Sequence, residues 1–208
     1  MRPRDHPSFR SSGLLNYSPS LSNYAVASRP ACVSRVTALF DSHICLVGLS
    51  GSGKSTLGPL LASQLNLGAC VDLDLVVEQR LGAPASQIFA EQGEPLFRQY
   101  ECEALAEALA GPAVVIAAGG GIVLDPTNRM MLKAQATVIW LRASVPDLVE
   151  RLRDSEASRP LLTGDVEFAL HRLAEERTAL YASVADVVID VDGLDPRTLT
   201  EAVVEELR

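Results

Sequence analysis

Residues Gly48 to Ser55 read Gly-Leu-Ser-Gly-Ser-Gly-Lys-Ser and fit the spacing G-x-x-x-x-G-K-[ST]. Glycines in such a loop let successive backbone N–H groups wrap a phosphate, and a helix that follows adds positive potential at its N-terminus. Lys54 would reach the β- and γ-phosphates of a nucleotide, and the Ser55 hydroxyl would ligate Mg²⁺. A turn with a purely structural task has no need of a lysine there. The stretch is expected to bind ATP or GTP with Mg²⁺ through Gly51, Ser52, Gly53, Lys54, Ser55 and Thr56.

A phosphate loop says nothing about what accepts the phosphoryl group, so the other chemically capable residues matter. Asp72 and Asp74 lie one residue apart in the apolar run "VDLDL". If that run is strand throughout, both acids point to one side of the sheet. Paired carboxylates buried there would be costly without a cation, and a helix N-cap is the competing reading for either acid. Gly119-Gly120-Gly121 permits close approach of backbone to a ligand. Arg98 lies in "GEPLFRQYE", Arg159 in "SRPLL" and Arg177 in "ERTALY". Each alone has a plain explanation, a turn or a solvated helix face. Their joint occurrence behind a phosphate loop points to an acceptor site.

Elements able to position these groups are legible as alternating patterns. Five short apolar runs, "HICLVGLS", "ACVDLD", "AVVIAAGGG", "ATVIWL" and "DVVIDV", read as buried parallel strands. Between them lie helical stretches. Leu57, Leu60, Leu61 and Leu65 form one stripe; Phe97, Tyr100, Ala104, Leu105 and Ala108 form another, stopped at Gly111-Pro112. Asp125-Pro126 opens a helix, Ser144 with Asp147 makes a capping box for the next, and a last helix runs through Val203. The pattern predicts an α/β domain over residues 43–208, its mostly parallel sheet covered on both faces and its ligands bound beyond the carboxyl ends of the strands.

Charge is unevenly distributed over the 208 residues, whose net charge is −8. Residues 1–42 carry five Arg and two Asp, whereas residues 43–208 carry 13 basic and 24 acidic side chains. So acidic a domain is a poor non-specific partner for nucleic acid. No apolar run approaches the roughly 18 residues that span a bilayer. The four cysteines, Cys32, Cys45, Cys70 and Cys102, have no zinc-like spacing, and Cys45 and Cys70 read as reduced core thiols. The first 42 residues, rich in Ser and Arg, read as a disordered extension. An organelle transit peptide is the alternative to a cytoplasmic setting.

Taken together, "GLSGSGKST", "DLD", "IFAEQGEPLFRQYE", "GGG", "RPLL" and "RTALY" resemble the shikimate kinases, in family order, over residues 44 to about 206. The resemblance implies a three-layer P-loop kinase fold of the nucleoside-monophosphate-kinase type, with a central five-stranded parallel sheet and a mobile lid. It implies transfer of the γ-phosphoryl of ATP to the 3-hydroxyl of shikimate, with Mg²⁺. By position, Asp74 is expected to orient or deprotonate the attacking hydroxyl, and Asp72 to bind Mg²⁺ through water. Arg98 and Arg177 are expected to grip the substrate carboxylate, with Gly120 against the ring and Gly119 and Gly121 also in the substrate site. Glu101 would hold Arg98, and Arg159 on the lid would join Lys54 at the phosphates. These roles suit the chemistry: a carboxylate matches the planar fork of Arg, and phosphoryl transfer needs positioning and charge neutralisation. Leu194 stands where some relatives carry an Arg near adenine, so no adenine contact is expected from it. A monomer is expected. Two rival readings share the phosphate loop: another small-metabolite kinase such as a gluconokinase, and a ligand-sensing module of the same fold. The first lacks a reason for Arg98, the glycine triplet and Arg177 together, and the second lacks a reason to keep every transfer residue.

Overall fold

In the computed structural model, residues 42–153, 161–162 and 165–208 are described. Residues 1–41 of the expected extension and Arg159 of the expected lid lie outside them. Five strands form one parallel sheet: β1 His43–Val47, β2 Cys70–Asp72, β3 Val115–Ala117, β4 Ala136–Arg142 and β5 Val187–Asp190. Their order is β2-β3-β1-β4-β5. Ile44 aligns with Val115 on one side of β1 and with Thr137 on the other. The chain therefore reverses its direction of strand addition across β1, and a crevice opens beyond the carboxyl ends at that place.

Strand β1 shows why the sheet must be covered twice. All five of its residues are buried. Ile44 and Leu46 pack with Leu57, Leu61 and Leu65 of helix α1 (Lys54–Leu65) and with Leu199 and Val203 of helix α8 (Pro196–Glu206). Cys45 and Val47 face the opposite layer. That layer is built from α2 (Leu73–Leu81), α4 (Glu94–Ala110), α5 (Pro126–Gln135), α6 (Val145–Arg153) and α7 (Val166–Val184), with the short α3 (Ala85–Glu91) beside α4. The result is three layers, as the alternating pattern predicts.

Two expectations about individual positions are corrected. Strand β2 ends at Asp72, and Asp74 already belongs to the first turn of α2. Asp72 is the N-cap: its Oδ1 accepts from the Asp74 and Leu75 backbone N–H groups at 3.1 and 3.3 Å. Two orphan N–H donors satisfied at a helix start outweigh one further residue of strand pairing. The second correction is Leu60, which is 44% exposed although it shares the spacing of the α1 stripe. Ser144 does cap α6, its Oγ accepting from Asp147 N at 3.4 Å, and Asp125 caps α5.

Cys45, Cys70 and Cys102 are free thiols. Burial pushes Cys45 up to about 12 and Cys70 up to about 11, so neither forms thiolate near neutral pH. Iodoacetamide at pH 8 is expected to leave Cys45 unmodified in the folded protein and to label it after denaturation. Mass spectrometry of labelled peptides checks this, and fast labelling of the native chain would contradict the packing described.

Candidate active site

The loop after β1 has the backbone its glycines imply. Gly48, Gly51 and Gly53 have φ of 145°, 90° and 97°, a region that side chains disfavour. At Gly48 a Cβ would also lie 2.6 Å from the Leu141 carbonyl oxygen. Helix α1 starts at Lys54 with Gly53 as N-cap and no side-chain cap, which leaves its N-terminal potential directed at the cleft. Lys54 is buried, and its Nζ donates to the Gly48 and Leu49 carbonyl oxygens at 2.8 and 2.9 Å. Ser52 is wholly buried inside the loop, where its Oγ accepts from Lys54 Nζ at 3.4 Å. Its side chain thus braces the loop from within. Gly51, Gly53, Lys54, Ser55 and Thr56 line a cleft of about 620 Å³.

A second cavity of about 360 Å³ is lined by Ser55, Asp72, Asp74, Arg98, Gly120, Gly121 and Arg177. Ser50, Ser55, Asp74 and Gly120 line both spaces. The two halves expected from sequence therefore meet at those four residues. Leu161 and Leu162, which follow Arg159, also line the second cavity.

Arg98 is held from several directions. Its Nη1 donates to Glu101 Oε2 at 2.8 Å, and its Nε and Nη2 donate to Glu94 Oε1 at 3.1 and 2.9 Å. The Phe89 and Phe97 ring centroids lie 5.8 and 5.6 Å from its Cζ, within reach of a cation–π contact. At Gly121 a Cβ would collide with the Arg98 guanidinium, and at Gly119 it would collide with Glu101 Oε1 and lie 2.5 Å from Asp74 Oδ1. Two of the three glycines are thus required by side chains of the site itself. Burial pulls the Arg98 pKa down, but Glu101 and Glu94 outweigh it and raise the pKa above that of an ordinary guanidinium. Burial raises the Glu101 pKa, against the opposing charge of Arg98.

Asp74 is an exposed residue that lines both spaces, with its carboxyl directed toward Gly119. Enclosure by protein raises its pKa, Lys54 pulls it back, and Asp72 raises it further. Arg177 is buried; its Nη1 donates to the Gly120 carbonyl oxygen at 3.1 Å, and its Nε has no hydrogen-bond partner among the described residues. Tyr181, one turn along α7, donates from Oη to the same carbonyl at 2.5 Å and stacks on Trp140 with centroids 5.8 Å apart. Sequence reasoning assigned Tyr181 no role, although its spacing of four from Arg177 was a usable signal. Arg151 was missed as well: it lines the nucleotide-sized cleft and ion-pairs with Asp147, and Leu194, from which no adenine contact is expected, lines the same cleft.

The residues present suit a hydrated Mg²⁺. Ser55 Oγ and Asp72 are hard oxygen donors on one cavity, and the Asp72 cap uses Oδ1, leaving Oδ2 without a hydrogen bond among the described residues. No cluster of three or more His, Cys, Asp or Glu able to hold a metal occurs among the described residues. Mg²⁺ in phosphoryl-transfer sites is bound by one or two protein oxygens plus phosphates and water, so a larger cluster is not needed.

A parallel α/β sheet with a phosphate loop after β1, and an acceptor cavity opening beside it, defines a P-loop phosphotransferase acting on a small molecule. The family model described as "Shikimate kinase" matches residues 50–208. A shikimate kinase of Pseudomonas entomophila is 41% identical over 167 residues, covering 80% of this chain and 96% of the relative. One from Dictyoglomus turgidum is 37% identical over 170 residues, covering 80% and 98%. The solved shikimate kinase of Acinetobacter baumannii, in complex with shikimate, superposes with a TM-score of 0.77 at 32% identity, covering 82% of this chain and 96% of that one. The chain belongs to the shikimate kinase family. A Sinorhizobium meliloti gluconokinase, 17% identical with a TM-score of 0.51, shares the fold alone.

Replacing Gly121 by Ala is expected to push the Arg98 guanidinium off its seat and weaken its bond to Glu101. A stability loss of about 1–3 kcal/mol, read by urea denaturation, is the expected scale for an overpacked site. Unchanged stability would mean that Arg98 relaxes freely.

Proposed function

We propose that this chain transfers the γ-phosphoryl group of ATP to the 3-hydroxyl of shikimate, with Mg²⁺, in a cytoplasmic setting. Residues 43–208 are the working unit of this proposal. One observation carries it: a nucleotide-sized cleft and a cavity bearing Asp74, Arg98 and Arg177 meet at Ser50, Ser55, Asp74 and Gly120. An acceptor seated in the second cavity would present a hydroxyl beside the terminal phosphate of a nucleotide in the first.

The division of labour follows from the side chains. Arg98 and Arg177 converge on one cavity and offer planar donor forks for a carboxylate. Arg177 is the more buried, and its Nη1 donates to the Gly120 carbonyl oxygen. Asp74 accepts the proton of the attacking hydroxyl as its oxygen bonds to the γ-phosphorus and the bond to ADP breaks. A carboxylate whose pKa lies above the ordinary range is the better base for that proton. Lys54 and Arg159 offset charge on the transferring group, and the phosphate loop holds the rest of the donor. Ser55 and Asp72 are the residues that would hold Mg²⁺; when bound, it neutralises phosphate charge.

Asp74→Asn is expected to lower turnover by roughly 10²–10⁴-fold, with ATP affinity retained, in a coupled assay for ADP. In the parent protein activity should fall as pH drops through the raised Asp74 pKa, because only the deprotonated form accepts a proton. Near-normal turnover of Asp74→Asn would remove Asp74 from the chemistry. Shikimate-independent ADP release in the parent would sink the assignment of acceptor.

Asp72 has two separable tasks. Asp72→Asn keeps an oxygen for the cap, whereas Asp72→Ala removes it at a cost of about 1 kcal/mol. Both should raise the Mg²⁺ concentration needed for half-maximal activity, and only the Ala variant should melt earlier. An unaltered Mg²⁺ requirement in both would confine Asp72 to capping. Arg98→Ala and Arg177→Ala are expected to raise KM for shikimate more than they lower turnover.

A further inference from the structure

Arg98 already holds a carboxylate. Its Nε and Nη2 form the side edge of the guanidinium, where parallel bonds to a carboxylate are made, and both donate to Glu94 Oε1 at 3.1 and 2.9 Å. The two glutamates on Arg98 are not equivalent. Glu101 has no exposed surface, whereas the Glu94 side chain is 40% exposed. Arg98 itself has little freedom, since the Gly121 backbone and the Phe89 and Phe97 rings confine it. Of the groups around the guanidinium, Glu94 is the one that can leave.

Its place on α4 makes leaving easy. Glu94 is the first residue of the helix, after Gly93 at φ 85° and before Pro95. A carboxylate released there stays beside the positive end of the helix and keeps a favourable interaction in water. A half-exposed ion pair is worth little, so exchanging it for another carboxylate is inexpensive.

We propose that Glu94 is an internal stand-in for the acceptor's carboxylate, occupying the side edge of Arg98 until the acceptor displaces it. This rests on the reading above that Arg98 receives that carboxylate. The exchange makes Glu94 a residue that sets acceptor affinity. An anionic acceptor replaces one carboxylate by another and keeps Arg98 paired. A neutral analogue that displaces Glu94 leaves the arginine without its anion, and one that does not displace it finds the edge occupied. Affinity for the true acceptor is thereby lowered, and unspecific anions are held off an otherwise available arginine.

Calorimetric titration of the full chain with shikimate, and with its carboxamide, tests this. Glu94→Gln is expected to tighten shikimate binding about two- to fivefold, the scale of a partly exposed ion pair removed as competitor, and to alter carboxamide binding by less than about twofold. Glu94→Asp, too short to reach Arg98 but still charged at the helix start, should also tighten shikimate binding; this separates exchange from any effect on the helix. In an Arg98→Ala background neither change should act. Unchanged or weaker shikimate binding by both Glu94 variants overturns the proposal and makes Glu94 a brace for Arg98. If Arg98→Ala alone leaves shikimate affinity intact, the reading of Arg98 fails, and the stand-in with it.

Discussion

Glu101 carries a carboxylate with no exposed surface, and the charge is tolerable there because Arg98 donates to it. Removing one partner of such a pair leaves an uncompensated buried charge, a change on the order of 3–5 kcal/mol. Much of the acceptor site follows from that one pairing. It fixes Arg98 against Gly121, and Glu101 in turn crowds Gly119, where Asp74 approaches from α2. A helix, a glycine turn and the start of a second helix are thus locked together by a group that is never in contact with bulk water. Elsewhere in the molecule apolar packing sets the architecture; here an ion pair sets the position of the chemistry.

The donor half is organised by different means. Its groups are backbone N–H donors at the start of α1, a lysine bound to the loop's own carbonyl oxygens, and a serine enclosed within the loop. Little of it depends on long side chains finding one another across the fold. The first cavity is thus bordered by a local, self-contained loop, while the second is assembled from α2, α3, α4, α7 and the glycine turn.

Those two modes also govern how much could be read from the chain. The phosphate loop and all five strands were legible, because each is a contiguous pattern whose cause lies within a few residues. The resemblance carried the expected acceptor residues, of which Asp74, Arg98, Gly120, Gly121 and Arg177 line one cavity while Gly119 lines neither. The alternation of Asp72 and Asp74 misled, since a strand and a helix start compete for the same short run and the cap prevailed. Leu60 shares the spacing of a buried stripe, but the sheet and α8 do not reach that side of α1. Glu94, Arg151 and Tyr181 were silent for another reason. Each resembles an ordinary helix residue until the fold supplies its partner, whether Arg98 on the next turn, the cleft wall, or a carbonyl more than sixty positions away.

Gly120 has a consequence of a different kind. Its carbonyl oxygen takes hydrogen bonds from both Arg177 and Tyr181, and the residue borders both cavities. A Cβ there would lie 3.5 Å from the Ser50 backbone nitrogen and 3.6 Å from the Gly48 carbonyl oxygen, ordinary contact distances, so this peptide rests directly against the phosphate loop. One peptide thus touches the loop, borders both cavities and holds two side chains of α7, so any movement of it alters both halves of the site together.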